Sequence, residues 1–242
     1  MKKFDEFLRE AHITRPDGYD FYFRNYIYRD IDLENKKILD IGGGNGLASF
    51  HALDSSASSS AWVVDPIAEG SNNLMFEQYD SMKKNYDSDR ISFHRDYIDT
   101  LQDPDTFDII VMHNTINHIG EDILQDIPHD NDAYDEYVKR LKKILDRLSS
   151  DGILIVADCG SKNFFGQMGL KSPFAPSIDW HLHCEPAVWQ HMIEDIGFLH
   201  LKTKWTARRE FGLFGKIFLA NRVCSYFLNS HFVSFYQKNN NL

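Results

Sequence analysis

Cysteine is scarce in this sequence. The three cysteines, Cys159, Cys184 and Cys224, are widely spaced, and none of them belongs to a CxxC pair. Neither a disulfide framework nor a zinc site is therefore expected, and the thiols should be reduced.

Long apolar runs are also missing. The nearest approach, residues 213–235, is interrupted by polar and charged side chains, which are costly in lipid, so it is not a plain transmembrane segment. The first six residues include two acids and no apolar stretch, unlike a secretory signal or a transit peptide. The expected location is the cytoplasm.

Basic residues are outnumbered, with 26 Lys and Arg against 36 Asp and Glu and a formal net charge of −10. Because affinity for phosphate backbones comes mainly from clustered Lys and Arg, this balance excludes a general nucleic-acid binder. Residues 197–242 nevertheless contain seven basic residues and one acidic residue. This basic C-terminal segment predicts either an anionic partner or a solvated face that acids elsewhere in the fold balance.

The chain of 242 residues suits one domain with a large core. From residue 36 onwards, short apolar runs alternate with longer helical stretches, which is typical of β-α units and a parallel sheet. The predicted strands cover residues 37–41, 61–64, 91–94, 107–112 and 152–157, and the predicted helices cover 46–53, 71–86 and 133–148. A loop at 159–178, a helix at 186–196 and strands at 198–206 and 232–237 follow.

Two further helical regions are expected outside this pattern. Residues 4–11 and 17–30 predict N-terminal helices, and the aromatic side chains of the second either cover a ligand or pack on the core. We divide the chain into an N-terminal helical lid, residues 1–35, and a main domain, residues 36–242. An apolar stripe predicts one helix inserted at about 211–229; its members are Leu213, Ile217, Ala220, Cys224 and Phe227.

The most informative stretch is an apolar strand that runs into a glycine-rich turn, Asp40-Ile41-Gly42-Gly43-Gly44-Asn45-Gly46. Glycine permits the positive φ and the close backbone approach that a nucleoside or phosphate requires above a strand end. Asp65 and Asp96 follow the next two predicted strands. Since ligands of open α/β sheets bind at the carboxyl ends of the strands, these residues predict a nucleoside-sized site there.

Five motifs in this order resemble those of class I S-adenosylmethionine-dependent methyltransferases. They are the glycine turn that begins at Asp40, Val63-Val64-Asp65, Arg95-Asp96-Tyr97, Phe107-Asp108-Ile109-Ile110 and Asp151-Gly152-Ile153-Leu154. The resemblance covers residues 36–157 and, more weakly, the closing strands. It implies a Rossmann-like α/β fold: a seven-stranded, mostly parallel sheet with helices on both faces and the last strand antiparallel.

The same resemblance implies S-adenosylmethionine as the cofactor. The glycine turn would pass under its methionine moiety, Asp65 would hold the ribose, and Asp96 would contact the adenine. Asp40 resembles the acid that opens the turn, often reached through water, and the backbone at His113 would approach the amino-acid end. The predicted cofactor-binding residues are Asp40, Gly42, Gly43, Gly44, Asp65, Pro66, Asp96, Tyr97 and His113.

A dinucleotide-binding dehydrogenase is the competing interpretation of such a turn. Its fingerprint is GxGxxG, and here position 47 is leucine, so the third glycine is missing. The sequence therefore favours the methyltransferase over an NAD-dependent oxidoreductase.

Methylation of a hydroxyl also requires a base, and histidine titrates near neutral pH. We favour His181 or His183, which follow the long loop that would reach over the acceptor, with Asp179 or Glu185 as the group that orients the base. His118, after the fourth predicted strand, is the third candidate. The alternative for each histidine is a packing or capping role.

A metal-assisted mechanism is less favoured. The acids between residues 121 and 132, with His129, could bind a hard cation, but a solvated loop whose Asn131 or Asp132 caps the next helix also accounts for them. Metal-dependent catechol-type methyltransferases have an acid where this chain has His113. We predict no metal.

The aromatic loop after the fifth predicted strand could stack on a sugar or aromatic ring. Residues 164–189 loosely resemble methyltransferases of bacterial surface-polysaccharide pathways, which favours O-methylation of a small-molecule or glycan-linked acceptor. The basic C-terminal segment would then contact a membrane surface peripherally. The sequence leaves open whether the chain forms a homodimer. The alternative is a non-catalytic S-adenosylmethionine-binding or scaffold protein of the same fold.

Overall fold

Seven strands form one sheet in the computed structural model, which describes residues 4–68, 71–86, 89–98, 100–101, 106–127 and 129–239. The strands are β1 Lys37–Ile41, β2 Ser60–Val64, β3 Ile91–His94, β4 Phe107–His113, β5 Leu148–Cys159, β6 Phe198–Trp205 and β7 His231–Lys238. Their order is β3-β2-β1-β4-β5-β7-β6. The first five strands are parallel, and β7 is antiparallel to both of its neighbours. The predicted fold class is confirmed.

Helices cover both faces of the sheet. They are α1 Phe4–Glu10, α2 Tyr19–Tyr22 continued by a π-helical turn Phe23–Ile27, α3 Leu47–Ser55, α4 Asn73–Tyr86, α5 Asn131–Leu145, α6 Phe164–Gln167, α7 Pro186–Asp195, α8 Gly212–Phe214 continued by a π-helical turn Gly215–Leu219, and α9 Arg222–Phe227. Because side chains alternate along a strand, Ile38 joins the core under α1 to α4, whereas Leu39 joins the core under α5 and α7. Among the described residues, no helix is long and apolar enough to cross a membrane.

The boundary between α5 and β5 was predicted wrongly. We expected a helix to residue 148 and a strand from 152, but α5 ends at Leu145 and β5 begins at Leu148. Leu148 pairs with Phe107 across an irregularity in the β4–β5 ladder, so tertiary pairing overrides the helical periodicity there. The helix cap was also wrong, since Asp130 rather than Asn131 or Asp132 accepts the capping hydrogen bond, from the backbone N–H of Asp132.

The single apolar helix expected between β6 and β7 is also incorrect. The chain forms α8 with its π-helical turn and then, after Asn221, the separate helix α9. The side chain of Asn221 caps α9 by accepting a hydrogen bond from the N–H of Cys224, so it starts a new helix instead of continuing the old one. The predicted stripe does not face the core, because Leu213, Ile217 and Phe227 are exposed.

The N-terminal segment is tied to the main body by polar contacts as well as aromatic packing. Oδ1 of Asp20 lies 3.1 Å from Nε2 of the buried His51 on α3. The hydrogen bond from His51 and then that from Arg24 lower the pKa of Asp20 to about 2. The aromatic side chains that pack into the core are Tyr22, Phe23, Tyr26 and Tyr28.

The glycine turn lies where the strand order reverses, between β1 and β4, which is the usual ligand-binding position of an open α/β sheet. Gly42 and Gly44 have φ angles of 61° and 54°. A Cβ on Gly42 would lie 2.4 Å from Cγ2 of Thr115, in the loop after β4. Bare backbone is therefore required both by conformation and by close packing.

Gly42→Ala should destabilise the protein by about 2–4 kcal/mol, because left-handed strain and overpacking against Thr115 add. Gly169→Ala is the matched control: its φ is 67°, but a Cβ there would meet nothing within 4 Å. We expect it to cost only about 1–2 kcal/mol. Urea unfolding of both variants measures the difference, and equal losses would refute the packing contribution of Thr115.

Candidate active site

A cavity of about 1270 Å³ lies at the carboxyl ends of the parallel strands. It is lined by all nine residues that the sequence predicted for a cofactor: Asp40, Gly42, Gly43, Gly44, Asp65, Pro66, Asp96, Tyr97 and His113. Of the acids, Asp40 and Asp65 are buried in its floor, whereas Asp96 is exposed at its rim. Tyr19 and Phe23 from the N-terminal segment add aromatic walls.

The floor of this first cavity cannot carry side chains at the glycine turn. A Cβ on Gly43 would lie 2.7 Å from Cγ1 of Val63 and 2.8 Å from Cγ of Asp40. Such distances are too short for real Cβ contacts, so position 43 must be glycine. The turn therefore lines the cavity with peptide backbone, which a flat group can approach directly.

Asp65 holds the shape of the turn. Its Oδ2 accepts hydrogen bonds of 2.8 Å from the N–H of Gly44 and from Oγ of Ser71, and its Oδ1 accepts one of 2.8 Å from the N–H of Ile67. An ionised carboxylate has about four lone-pair sites. In this arrangement Oδ1 keeps capacity for a further donor, such as a ribose hydroxyl.

Asp40 is the unusual acid of the first cavity. Its Oδ2 accepts a hydrogen bond of 2.8 Å from Oγ of Ser49, but its buried Oδ1 has no hydrogen-bond partner. Burial raises the pKa of Asp40 to about 6. A buried oxygen without a partner is costly, so this position suits a ligand that brings a cationic or donor group.

A second cavity of about 580 Å³ adjoins the first. The two share Tyr19, His113, Asn114 and His118 in their walls. The second cavity is otherwise built from Arg15 and Tyr22 of the N-terminal segment, Asn117 after β4, the end of β5, the loop before α7, the segment after β6 and the start of β7. The arrangement provides two adjacent binding spaces with a common wall.

Buried polar atoms without hydrogen-bond partners are concentrated in the second cavity. Among the described residues nine such side-chain atoms occur, and four of them belong to residues that line this cavity. These are Oδ1 of Asn117, Oδ2 of Asp158, Nδ1 of His183 and Oδ1 of Asn229. Since buried polar groups normally have partners, the second cavity suits a polar ligand, and its three oxygens are able to accept hydrogen bonds from donor groups.

His183 and Asp158 form a pair in this cavity. Nδ1 of His183 lies 3.2 Å from Oδ1 of Asp158, although the ring N–H is not aligned for a hydrogen bond in this conformation. Asp158 is fully buried, while His183 retains 12% of its side-chain exposure. A carboxylate next to Nδ1 favours the tautomer with its proton on Nδ1, which leaves Nε2 to accept a proton.

The other buried histidines of this region are poor bases. Burial lowers the pKa of His113 to about 4 and, together with the nearby His113 and His183, that of His231 to about 3. Nε2 of His113 lies 3.1 Å from Oη of Tyr22, and Nδ1 of His231 lies 3.0 Å from Oγ1 of Thr206. Both rings are neutral hydrogen-bonding groups at neutral pH.

The two other histidines that the sequence predicted as bases, His118 and His181, differ in their access to the cavities. His118 lines both cavities, and its Nδ1 lies 2.8 Å from Oε2 of Glu121. His181 is exposed and lines neither cavity.

Among the described residues, neither of the predicted orienting acids, Asp179 and Glu185, contacts the side chain of His183. Asp179 accepts from the backbone N–H of His181, and Glu185 accepts from the backbone N–H of Lys162. The acid next to His183 is Asp158 instead. Sequence reasoning missed it because the strand was predicted to end at Ala157, whereas β5 continues through Asp158 to Cys159, and the last residues of a parallel strand are where functional side chains occur.

The first cavity fits S-adenosylmethionine on three observations of this chain. The glycine backbone provides a bare floor, the partnerless Oδ1 of Asp40 suits the methionine amine, and Asp65 has one lone pair left for a ribose hydroxyl. Asp96 and Tyr97 line the same cavity at its rim.

Comparison with known proteins supports this assignment. A family model described as "Methyltransferase domain" matches residues 32–211, which is most of the chain. No curated protein sequence matches significantly.

Solved structures of similar fold include several methyltransferases. A SAM-dependent methyltransferase from Aquifex aeolicus has a TM-score of 0.60 at 13% identity, and the match covers 97% of this chain and 98% of that one. The Burkholderia thailandensis 1,6-didemethyltoxoflavin-N1-methyltransferase has a TM-score of 0.55 at 14% identity, and the match covers 97% of this chain and 86% of that one. The mitomycin 7-O-methyltransferase has a TM-score of 0.57 at 13% identity, and the match covers 91% of this chain. The chain spans about half of that protein's length, 53%.

Asp40→Asn should make the apo-protein more stable at alkaline pH. The folded-state pKa of about 6 lies above the ordinary value of 3.8, so ionised Asp40 costs folding free energy above pH 6, and the cost disappears as the pH falls below 3.8. We expect a gain of roughly 2–3 kcal/mol at about pH 8 and less than about 1 kcal/mol at about pH 4. Urea unfolding at the two pH values measures it.

The same variant should bind S-adenosylmethionine about tenfold or more weakly at about pH 8. Wild-type affinity should decrease as the pH falls below 6, since neutral Asp40 no longer attracts a cation, and the variant should lack this dependence. Asp54→Asn is the control, because Asp54 also has a raised pKa but is only half-buried and does not line the cavity. Equal calorimetric affinities of Asp40→Asn and wild type would contradict the role of Asp40.

Proposed function

The chain belongs to the family of methyltransferase domains, whose cofactor is S-adenosylmethionine, and we propose that it O-methylates an acceptor that carries several hydroxyl groups. One observation carries the proposal: the second cavity combines the His183–Asp158 pair with three partnerless buried oxygens. The solved structures of similar fold include both an O- and an N-methyltransferase. The choice of oxygen therefore rests on this chain's own residues.

S-adenosylmethionine, when bound, supplies a methyl group on a sulfonium, which is already activated for displacement. The chain has two remaining tasks, namely to align the acceptor and to remove its proton. The wall that the two cavities share, which includes His113 and Asn114, lies where cofactor and acceptor would meet.

The side chains of the second cavity perform these tasks as follows. Oδ1 of Asn117 and Oδ1 of Asn229 accept hydrogen bonds from acceptor hydroxyls, which fixes the orientation of the acceptor. Nε2 of His183 takes the proton of the hydroxyl that is methylated. Asp158 stabilises the imidazolium that results, because the carboxylate lies 3.2 Å from Nδ1.

A sugar or glycan-linked compound is the acceptor class that we favour. Hydroxyl groups at several positions match the several buried oxygens, and the exposed ring of Phe174 lines the same cavity and offers an apolar face. The loose resemblance of residues 164–189 to methyltransferases of surface-polysaccharide pathways points to the same class.

The three cysteines are free thiols, which supports the cytoplasm as the location.

His183→Gln should reduce methyl transfer by about 10²- to 10⁴-fold, because the base is lost. The assay is incorporation of label from S-adenosylmethionine into a panel of monosaccharides, glycosides, sugar phosphates, phenols and amines. Asp158→Asn should also lower the rate, since the imidazolium loses its counter-charge. Cofactor affinity should stay unchanged in both variants.

His181→Gln is the matched control, because His181 lies two residues away and outside both cavities. It should retain the wild-type rate. Methylation of amines alone, or an unchanged rate for His183→Gln, would refute the base. Cofactor binding without methylation of any compound in the panel would identify the chain as a non-catalytic binder.

A further inference from the structure

Exposed apolar side chains are concentrated on one part of the surface. Among the described residues, fourteen large apolar side chains are exposed, and ten of them belong to residues 160–178 and 206–230. We call these two segments the apolar face. Its ten exposed members, between 37% and 69% accessible, are Met168, Leu170, Phe174, Phe211, Leu213, Phe214, Ile217, Phe218, Val223 and Phe227.

The two segments form one continuous surface. The rings of Phe164 and Phe227 lie 5.2 Å apart, and Oη of Tyr226 donates a hydrogen bond of 2.6 Å to the side chain of Gln167. A guanidinium nitrogen of Arg208 donates one of 3.2 Å to the carbonyl of Phe174. Exposed apolar area of this extent usually marks a contact with a partner or a membrane.

The helices of the apolar face are packed with their small residues inwards. Gly215 is buried, and a Cβ there would lie 2.6 Å from Cβ of Phe211 and 3.0 Å from Cβ of Ala207. Ser225 is the fully buried residue of α9. The large side chains are thus directed to the outside, which is the reverse of a helix that stabilises its own core.

The charge of the apolar face is opposite to that of the whole chain. Its two segments contain six basic residues and one acidic residue, Glu210, which already pairs with Arg208 at 3.2 Å. The chain as a whole has a net charge of −10. The basic residues are Lys162, Lys171, Arg208, Arg209, Lys216 and Arg222, of which Lys162, Lys171 and Arg222 are exposed.

We propose that the apolar face docks on an anionic lipid bilayer. Aromatic and aliphatic side chains next to Lys and Arg are the chemistry of a helix that lies in the membrane interface, with its apolar side among the acyl chains and its cations at the headgroups. An acidic chain whose apolar face carries six basic residues and only one acid is complementary to such a surface, and a neutral apolar partner would not require this local excess of cations.

The docking position has a consequence for the acceptor, and this step rests on the proposed function. Phe174, Arg208, Arg209 and Asn229 of the apolar face also line the second cavity. A docked protein would therefore have this cavity next to the headgroups. The acceptor would be a hydroxylated group carried on a lipid.

Vesicle co-sedimentation of the full chain tests the docking and requires neither cofactor nor acceptor. We expect binding to vesicles of phosphatidylcholine with phosphatidylglycerol, at least about tenfold weaker binding to phosphatidylcholine alone, and weakening by salt. The double variant Ile217→Ser/Phe218→Ser should bind about tenfold or more weakly. Arg222→Glu should reduce binding to the anionic vesicles only.

Two controls keep the result specific. Leu199→Ser/Leu201→Ser changes two apolar residues of the edge strand β6 that are about half exposed, and Lys84→Glu changes an exposed cation of α4. Both variants should bind as wild type. Unchanged binding by the Ile217/Phe218 variant would overturn the proposal. So would a wild-type dimer, seen by light scattering, that this variant converts to a monomer without any vesicle binding, because the face would then join two copies of the chain.

Loss of methyl transfer in His183→Gln has no bearing on vesicle binding, so the two proposals fail separately. If docking holds and the proposed function fails, the vesicle results stand and only the lipid-carried acceptor is lost.

Discussion

The buried carboxylate of Asp65 connects the chain segments that form the floor of the first cavity. Asp65, at the end of β2, accepts hydrogen bonds from the backbone of Gly44, from the backbone of Ile67 and from the hydroxyl of Ser71. A buried carboxylate is tolerated only when such donors surround it. The same bonds that satisfy Asp65 thereby fix the glycine turn and the chain after β2, and the cavity floor follows from their positions.

The electrostatic character of the two cavities differs because burial acts on different groups. In the first cavity burial raises the pKa of Asp40, so a cationic ligand group is favoured. Near the second cavity burial keeps His113 and His231 neutral, so their rings donate and accept hydrogen bonds without charge. Among the histidines of that region, His183 is distinguished by its fully buried carboxylate neighbour.

Much of the fold was predictable from the sequence, because buried parallel strands are nearly all apolar and glycine turns are conspicuous. The bounds of β1 and β3 were predicted correctly, and the nine proposed cofactor residues do line one cavity. Contacts between distant parts of the chain were not predictable. Asp158 and His183 are 25 positions apart. They meet only because the loop before α7 passes the end of β5. The apolar residues of 213–227 looked like a core stripe, since periodicity alone does not reveal which side faces solvent.

The position of β7 bears on how the chain acquires its activity. This strand comes last in the sequence among those described, yet it lies between β5 and β6 and carries His231 into the wall of the second cavity. While the chain emerges from the ribosome, β5 and β6 have no bridging partner, and open strand edges are liable to pair with other chains. The second cavity is thus completed only after β7 has been synthesised, whereas the strands β1 to β4 beside the first cavity are made much earlier.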